Sequence, residues 1–598
     1  MLRKSVCAII GGLMMSTLTA APMGKTPACP KEAAVLEQVK NFFKFDTKLE
    51  PLEARTLEIF ANRLADRDVT IAPGYAIQVR RNANCSEEEF RLSGSVDAKT
   101  LVLDYRTPKS FLYAAGKLLR DGVYANGKFT PGKWRGIFRP VKSLRCVYLA
   151  AHFYNVYEVW TVDKMEKHIE DIALLGYNYV TLAGGSSGTK ESVARRLHLM
   201  KYSNFLGLKN RSSASNFGSR NAPKEIRATP TGHSFLGTEI CISNPKGMEY
   251  ILERFKAKLE REKDYDIGIF QFWPYDQGGC GYKECYPYGV NGMFKLAEKV
   301  VPLVKKTWPN AKIVWSCWEF GRKAPHEWDM LYERINSGKA DFIDYLMIDE
   351  HGNFPEYPLK HGLPGKTKMI TFPEITMWGR HPWGGYGATP LPKRFSGLYG
   401  EVAHLSEGGV LYSEGIHEDF TKAVYAGFFN NGNNDTAEAI REYANYELGL
   451  KAEQLPDFLR LLDLLEANHQ GLVWAEKGDG KVLRQLKNKP VWTKVGKVWT
   501  NTDEMLALVK KLDAGMPQWA KKCWRWRLFY LRAIIDYELS HNGDEPNAAT
   551  EKAMLELVKI YEVSAEKANR RVTPFTDEWI RHHIDKNFKL NLELLGVD

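Results

Sequence analysis

Between residues 144 and 432 the chain alternates short apolar runs with amphipathic stretches, eight times over. The runs are "LRCVYLAAH", "NYVTLAGG", "LGTEICIS", "IGIFQFWPYD", "KIVWSCWEF", "IDYLMIDEHG", "KMITFPEIT" and "GVLYSEG". Stretches of helical periodicity, such as "VDKMEKHIEDIALLG" and "VNGMFKLAEKVVPLVKKTW", lie between most of them. Strands separated in this way pair in parallel, because each helix supplies the crossover that a parallel neighbour needs. Eight strand-helix units predict a (β/α)8 barrel. The third run, "LGTEICIS", follows a long segment rich in Gly, Ser and Asn, from Gly184 to His233. That segment reads as an active-site loop.

The flanks differ from the barrel. Residues 31–140 read as a small α+β domain, with "VTIAPGYAIQV" and "TLVLDYR" as strands. "TPKSFLYAAGKLLRDGVY" reads as a helix, opened by a Thr cap with Pro at the first helical position. "TPGKWRGIFRPVKS" reads as a linker, and residues 141–432 then carry the barrel. Residues 433–598 show helical spacing throughout, as in "LPDFLRLLDLLEANHQ" and "CWRWRLFYLRAIIDYELSHNG", and predict a helical C-terminal domain. At the other end, Arg3 and Lys4 precede an apolar run from Val6 to Met15 and small residues at Thr19, Ala20 and Ala21. This pattern predicts a signal peptide over residues 1–20, hence a secreted or periplasmic protein. No apolar run reaches the roughly 18 residues of a membrane span.

Composition excludes some classes of partner. The net charge is +11, but Lys and Arg are interleaved with Asp and Glu and form no basic tract. A nucleic-acid partner is therefore not expected. Of nine cysteines, Cys280 and Cys285 in "GGCGYKEC" are the best local pair. Their four intervening residues do not match a zinc knuckle, so a loop disulfide is favoured over a metal site. No cofactor is called for.

In such barrels the chemistry sits at the C-terminal ends of the strands. The first run ends at His152 and the fourth in Asp276 and Gln277. The fifth ends in Glu319, the sixth in Asp349, Glu350 and His351, the seventh in Glu374 and the eighth in Glu414. One such acid commonly caps the following helix. Five strands delivering carboxylates to one rim is costly unless something uses the charge. Trp273, Tyr275, Trp378, Trp383, Tyr386 and Tyr412 stand beside the same acids. Sugar rings stack apolar C–H faces on aromatics, and glycosidases use paired carboxylates, one as acid and one as base or nucleophile. "FPEITMWGRHPWGGYG" thus reads as an acid followed by a glycine-jointed sugar platform. Arg380 there, and Arg394 further on, suit a carboxylated sugar or else pair with rim acids.

The order of α+β domain, barrel and helices resembles α-glucuronidases, β-hexosaminidases and α-N-acetylglucosaminidases. The β-hexosaminidase resemblance implies an Asp-Glu pair at the fourth strand. Here the pair is Asp276-Gln277, and Gln cannot donate a proton as that acid does. The α-glucuronidase resemblance implies acids at Asp276, Asp349 and Glu374. "FPEITMWGRHPWGGYGATPLP" is also similar to sialidases of glycoside hydrolase family 181. That resemblance implies release of sialic acid from host or mucin-type glycans, with Arg380 and Arg394 as carboxylate clamps and Tyr386 or Tyr412 as alternative nucleophiles. The expectation is an exo-glycosidase with Asp349 and Glu374 as its central catalytic pair, supported by Asp276 and Glu414. The other residues named would bind substrate. Two rival readings are a glycan-binding protein without turnover and a metal-dependent hydrolase using His152, Asp349 and His351.

Overall fold

The computed structural model describes residues 30–151, 157, 160–182, 189–219, 221–230, 238–275, 279–321, 324–350, 354–375, 390–413, 419–468, 499–543 and 547–560. The fold is mixed α/β. At its centre is a closed barrel of eight parallel strands, labelled here β1 to β8: Leu144–Leu149, Tyr179–Leu182, Lys209–Ala214, Ile267–Phe272, Lys312–Ser316, Tyr345–Asp349, Lys368–Phe372 and Ser406–Ser413. Helices α1 to α8 follow each in turn: Val162–Leu174, Lys190–Phe205, Pro245–Glu262, Gly292–Thr307, Glu327–Asn336, Glu356–His361, Pro392–Val402 and Asp419–Asn431. β8 closes onto β1, from Gly408 opposite Leu144 to Ser413 opposite Leu149. Local signals start the helices. Thr161 and Thr189 cap α1 and α2, and the Asn244 side chain accepts from the amides of Lys246 and Gly247 to open α3.

Period-two alternation divides each strand between two cores. Outward residues join the helices in one large cluster. Inward residues form a second: Leu144, Cys146, Ile269, Val314, Tyr345, Met347, Ile370, Phe372 and Val410. Partly buried Tyr148, Trp273 and Tyr412 border this inner cluster near the strands' C-terminal ends.

One strand is not where the sequence places it. "LGTEICIS" contributes only single bridges, Glu239 to Phe217 and Ile240 to Arg227. β3 is instead the polar "KNRSSA" of Lys209–Ala214, and α2 occupies part of the segment read as a loop. The reason is visible on its outer face. Asn210 donates to Ser203 at 2.8 Å, and Ser212 donates to the buried Glu262 at 2.9 Å. Arg196 of α2 holds the other oxygen of Glu262 at 2.8 Å. Hydrogen bonds fill the place that apolar packing takes on the other strands. The expected Cys280–Cys285 disulfide is also not formed, and both are free thiols.

Before the barrel, a five-stranded mixed sheet runs in the order Phe43–Phe45, Ile77–Arg81, Thr100–Tyr105, Phe90–Ser95, Gly136–Phe138. After it come helices, including Ala437–Tyr446, Leu455–Ala467, Thr502–Gly515 and Trp524–His541. Ion pairs join the three parts. Arg525 reaches Asp171 of α1 at 3.1 Å, Asp419 of α8 at 2.6 Å and Glu447 at 3.6 Å. Arg63 and Arg67, N-terminal to the barrel, reach Asp171 at 2.8 Å and Glu447 at 3.2 Å. No helix among the described residues is long and apolar enough to cross a membrane. Residues 1–20 lie outside the described residues.

The N-terminal sheet is pinned to the barrel near the start of β1. Glu88 accepts from Arg145 of β1 and from Lys109, both at 2.7 Å. Burial opposes the charge on Glu88, but Arg145 and Lys109 outweigh it and hold the carboxyl down at about 2. The stabilisation from this group is therefore present above about pH 4.5, its unfolded value, and is lost as pH falls toward 2. We expect Glu88→Gln to cost roughly 3 kcal/mol at neutral pH and to flatten the acid limb of urea-unfolding midpoints. An acid limb identical in both proteins would refute the assignment.

Candidate active site

Asp349 ends β6 and lies opposite Phe372 of β7. Tyr345 and Met347, four and two residues earlier on β6, belong to the inner cluster, so the pleat carries Asp349 inward as well. Glu374 stands two residues beyond Phe372, where the chain still runs beside β8. Ile375 N–H donates to the Tyr412 carbonyl at 3.0 Å, and Tyr412 N–H donates to the Pro373 carbonyl at 2.9 Å. This bridge extends β7's alternation by one step and keeps Glu374 on the inner side. A rise of about 3.3 Å per residue and a strand spacing of about 4.8 Å put the two Cα atoms about 8 Å apart. Both carboxylates are buried, Asp349 at 6% and Glu374 at 0% exposure. The expected central pair is thus brought together at one end of the barrel.

An aromatic wall runs beside them. Trp273, just after β4, meets Phe372 edge-on at 5.2 Å between ring centroids and Trp318 at 6.4 Å. Phe372 meets Tyr412 at 5.6 Å, and Tyr412 meets Tyr148 of β1 edge-on at 5.1 Å. The wall therefore spans β4, β7, β8 and β1. The indole N–H of Trp273 is buried and has no hydrogen-bond partner among the described residues. A ligand oxygen would satisfy it.

Sequence reasoning missed Arg211. It projects inward from β3, between the outward Asn210 and Ser212. Its guanidinium lies 4.2 Å from the Tyr148 ring centroid and 5.8 Å from that of Trp273. It donates to the Gln271 side chain of β4, and its buried Nε has no partner among the described residues. A cation stacked on rings and fixed by an amide is pre-organised to receive an anion. Correct placement of the third strand would have shown it, since only an inward Arg reaches the barrel interior.

Other expected site residues have other surroundings. Tyr275 is 2% exposed, and its hydroxyl donates to Glu327 of α5. Gly289 N–H reaches the same Tyr275 oxygen at 3.0 Å, so this tyrosine fastens the loop after β4 to α5. Glu350 follows Asp349 by one residue and so faces outward. It packs under α8, 3.4 Å from the Tyr425 hydroxyl, with Tyr399 of α7 nearby. Neither surrounding is that of a sugar-binding side chain. Glu319 sits half-buried in the turn after β5 with φ at +67°. Arg394 is half-buried in the first turn of α7, and its amide donates to Glu466 at 2.8 Å. His152, Asp276, Gln277, His351, Trp378, Arg380, Trp383, Tyr386 and Glu414 lie outside the described residues.

Burial pushes the Glu350 carboxyl up to about 8, assisted by the neighbouring Asp349 charge. Folded and unfolded chains hold this proton equally below about pH 4.5. Above that the folded form retains it, so stability is lost as pH rises toward 8. Glu350→Gln, neutral at every pH, should match the parent near pH 4.5 and exceed it at pH 8 by up to about 4 kcal/mol. Denaturant midpoints at the two pH values test this, and an equal offset at both would refute it.

No protein-family model and no curated protein matches the chain. Solved structures do match. A family GH115 4-O-methyl-α-glucuronidase with specificity for decorated arabinogalactans aligns with TM-score 0.59 and 12% identity, over 90% of this chain and 78% of that one. A family 89 glycoside hydrolase from Clostridium perfringens aligns with TM-score 0.55 and 13% identity, over 90% of this chain and 66% of that one. A GH138 enzyme targeting pectin rhamnogalacturonan II aligns with TM-score 0.50 and 11% identity, over 93% of this chain and 80% of that one. These structural neighbours are glycoside hydrolases, and what this chain shares with them is the fold.

Proposed function

We propose that the protein is an exo-glycoside hydrolase that removes a terminal anionic sugar, with the barrel mouth as its cleft. The observation that carries this reading is the company of Asp349 and Glu374. Two inward carboxylates share one strand end with a wall of four rings and a stacked arginine. One carboxyl, in its acid form, donates its proton to the glycosidic oxygen as the bond breaks. The other, ionised, activates water or attacks the anomeric carbon. The aromatic wall holds the apolar face of the ring, and the Trp273 N–H is offered to a hydroxyl or carbonyl oxygen.

Arg211 supports the anionic substrate. A guanidinium held by ring faces and an amide binds a carboxylate in a forked pair. Sialic acid is our first assignment and uronic acid the second. The uronic assignment draws support from the glucuronidase with the same fold. Release from host or mucin-type glycans after export is part of the same reading.

The test is sugar release from sialylated O-glycans and from glucuronylated oligosaccharides. Asp349→Asn and Glu374→Gln should each lower kcat at least about 100-fold while leaving the unfolding temperature within a few degrees. Arg211→Met should raise KM for the acidic sugar far more than it lowers kcat. Release of N-acetylhexosamine alone would refute the anionic substrate and spare the catalytic pair. Binding of glycans without any release would refute the hydrolase.

A further inference from the structure

Away from the carboxylates, three buried cysteines converge from two separate segments. Cys241 precedes α3, while Cys280 and Cys285 lie in the loop between β4 and α4. Their three sulfurs all lie within 4.8 Å of one another, and those of Cys241 and Cys285 are 3.9 Å apart. Tetrahedral zinc with Zn–S bonds of about 2.3 Å sets its sulfurs about 3.8 Å apart. We propose that Cys241, Cys280 and Cys285 form a thiolate site for Zn2+ that staples the loop after β4 to the segment leading into α3.

Buried cysteines often serve only as small apolar fillers. The shell around these three is polar instead. Ser243 Oγ lies 3.1 Å from Cys285 Sγ, and Lys295 Nζ donates to that hydroxyl at 2.8 Å. A filler has no use for a hydroxyl at its sulfur backed by an ammonium group. A site carrying negative sulfur does, because such donors stabilise thiolates and orient metal ligands. Three soft sulfur donors select zinc over magnesium or calcium. Binding would release up to three thiol protons to solvent, and the fourth position would fall to Ser243 Oγ or a solvent oxygen.

The site is separate from the proposed hydrolysis and is tested separately. Protein purified under reducing conditions from zinc-supplemented medium should hold about one zinc per chain by elemental analysis. Cys241→Ser and Cys285→Ser should lose that zinc. Cobalt exchanged into the parent protein should give thiolate-to-cobalt charge-transfer bands and the visible bands of a tetrahedral ion, a readout that needs no variant to fold. Three refutations are available: no zinc with three titratable thiols, a Cys280–Cys285 disulfide in peptide mapping, or zinc that persists in both serine variants.

Discussion

Closure of β8 onto β1 is the constraint on which the rest of the structure depends. Once eight parallel strands meet edge to edge, every second residue must either fill the interior or stand at one of its two ends. The middle is apolar and packed. Polar inward residues are tolerable only near an opening, where solvent or a ligand can satisfy them. The register then decides who stands there. Asp349 opposite Phe372, with Glu374 two residues on beside Tyr412, follows from strand pairing alone.

The two ends of the barrel divide the work. Where β1 begins, charge is neutralised within the protein: Arg145 and Lys109 meet Glu88, and the N-terminal sheet is held in place. Where the strands end, Asp349, Glu374 and Arg211 stand with aromatic rings and an indole N–H that has no partner among the described residues. Groups that satisfy each other stabilise a fold. A buried donor such as the Trp273 N–H, with no partner among the described residues, is suited to binding a ligand oxygen.

Much of this was legible in the sequence, and the failures share physical causes. Seven strands announce themselves as apolar runs because both their faces are packed. β3 does not, because Asn210 and Ser212 bind Ser203 and Glu262 and its inward face carries Arg211. Losing β3 cost the reading Arg211, whose guanidinium stacks on Tyr148 and Trp273. Asp349, Glu374, Trp273 and Tyr412 stand together at the strand ends, as expected, because strand-end position and alternation agree for them. Glu350 was misread because one residue's step along a strand reverses the face. Tyr275 was misread because the pleat no longer governs direction two residues past Trp273, and its hydroxyl turns to Glu327.

The ion pairs around Arg525 bear on how this chain can be divided. Its guanidinium, contributed by a helix beyond the barrel, is shared by acids of α1, α8 and the segment after α8. Remove the helical region and Asp419 loses that cation, while Asp171 keeps one arginine from the N-terminal part. Remove the N-terminal part as well and both barrel acids, Asp171 and Asp419, are stranded at a newly opened surface. The barrel is thus not a detachable module set between independent neighbours. A cut at either boundary of the barrel leaves buried acids without their arginines.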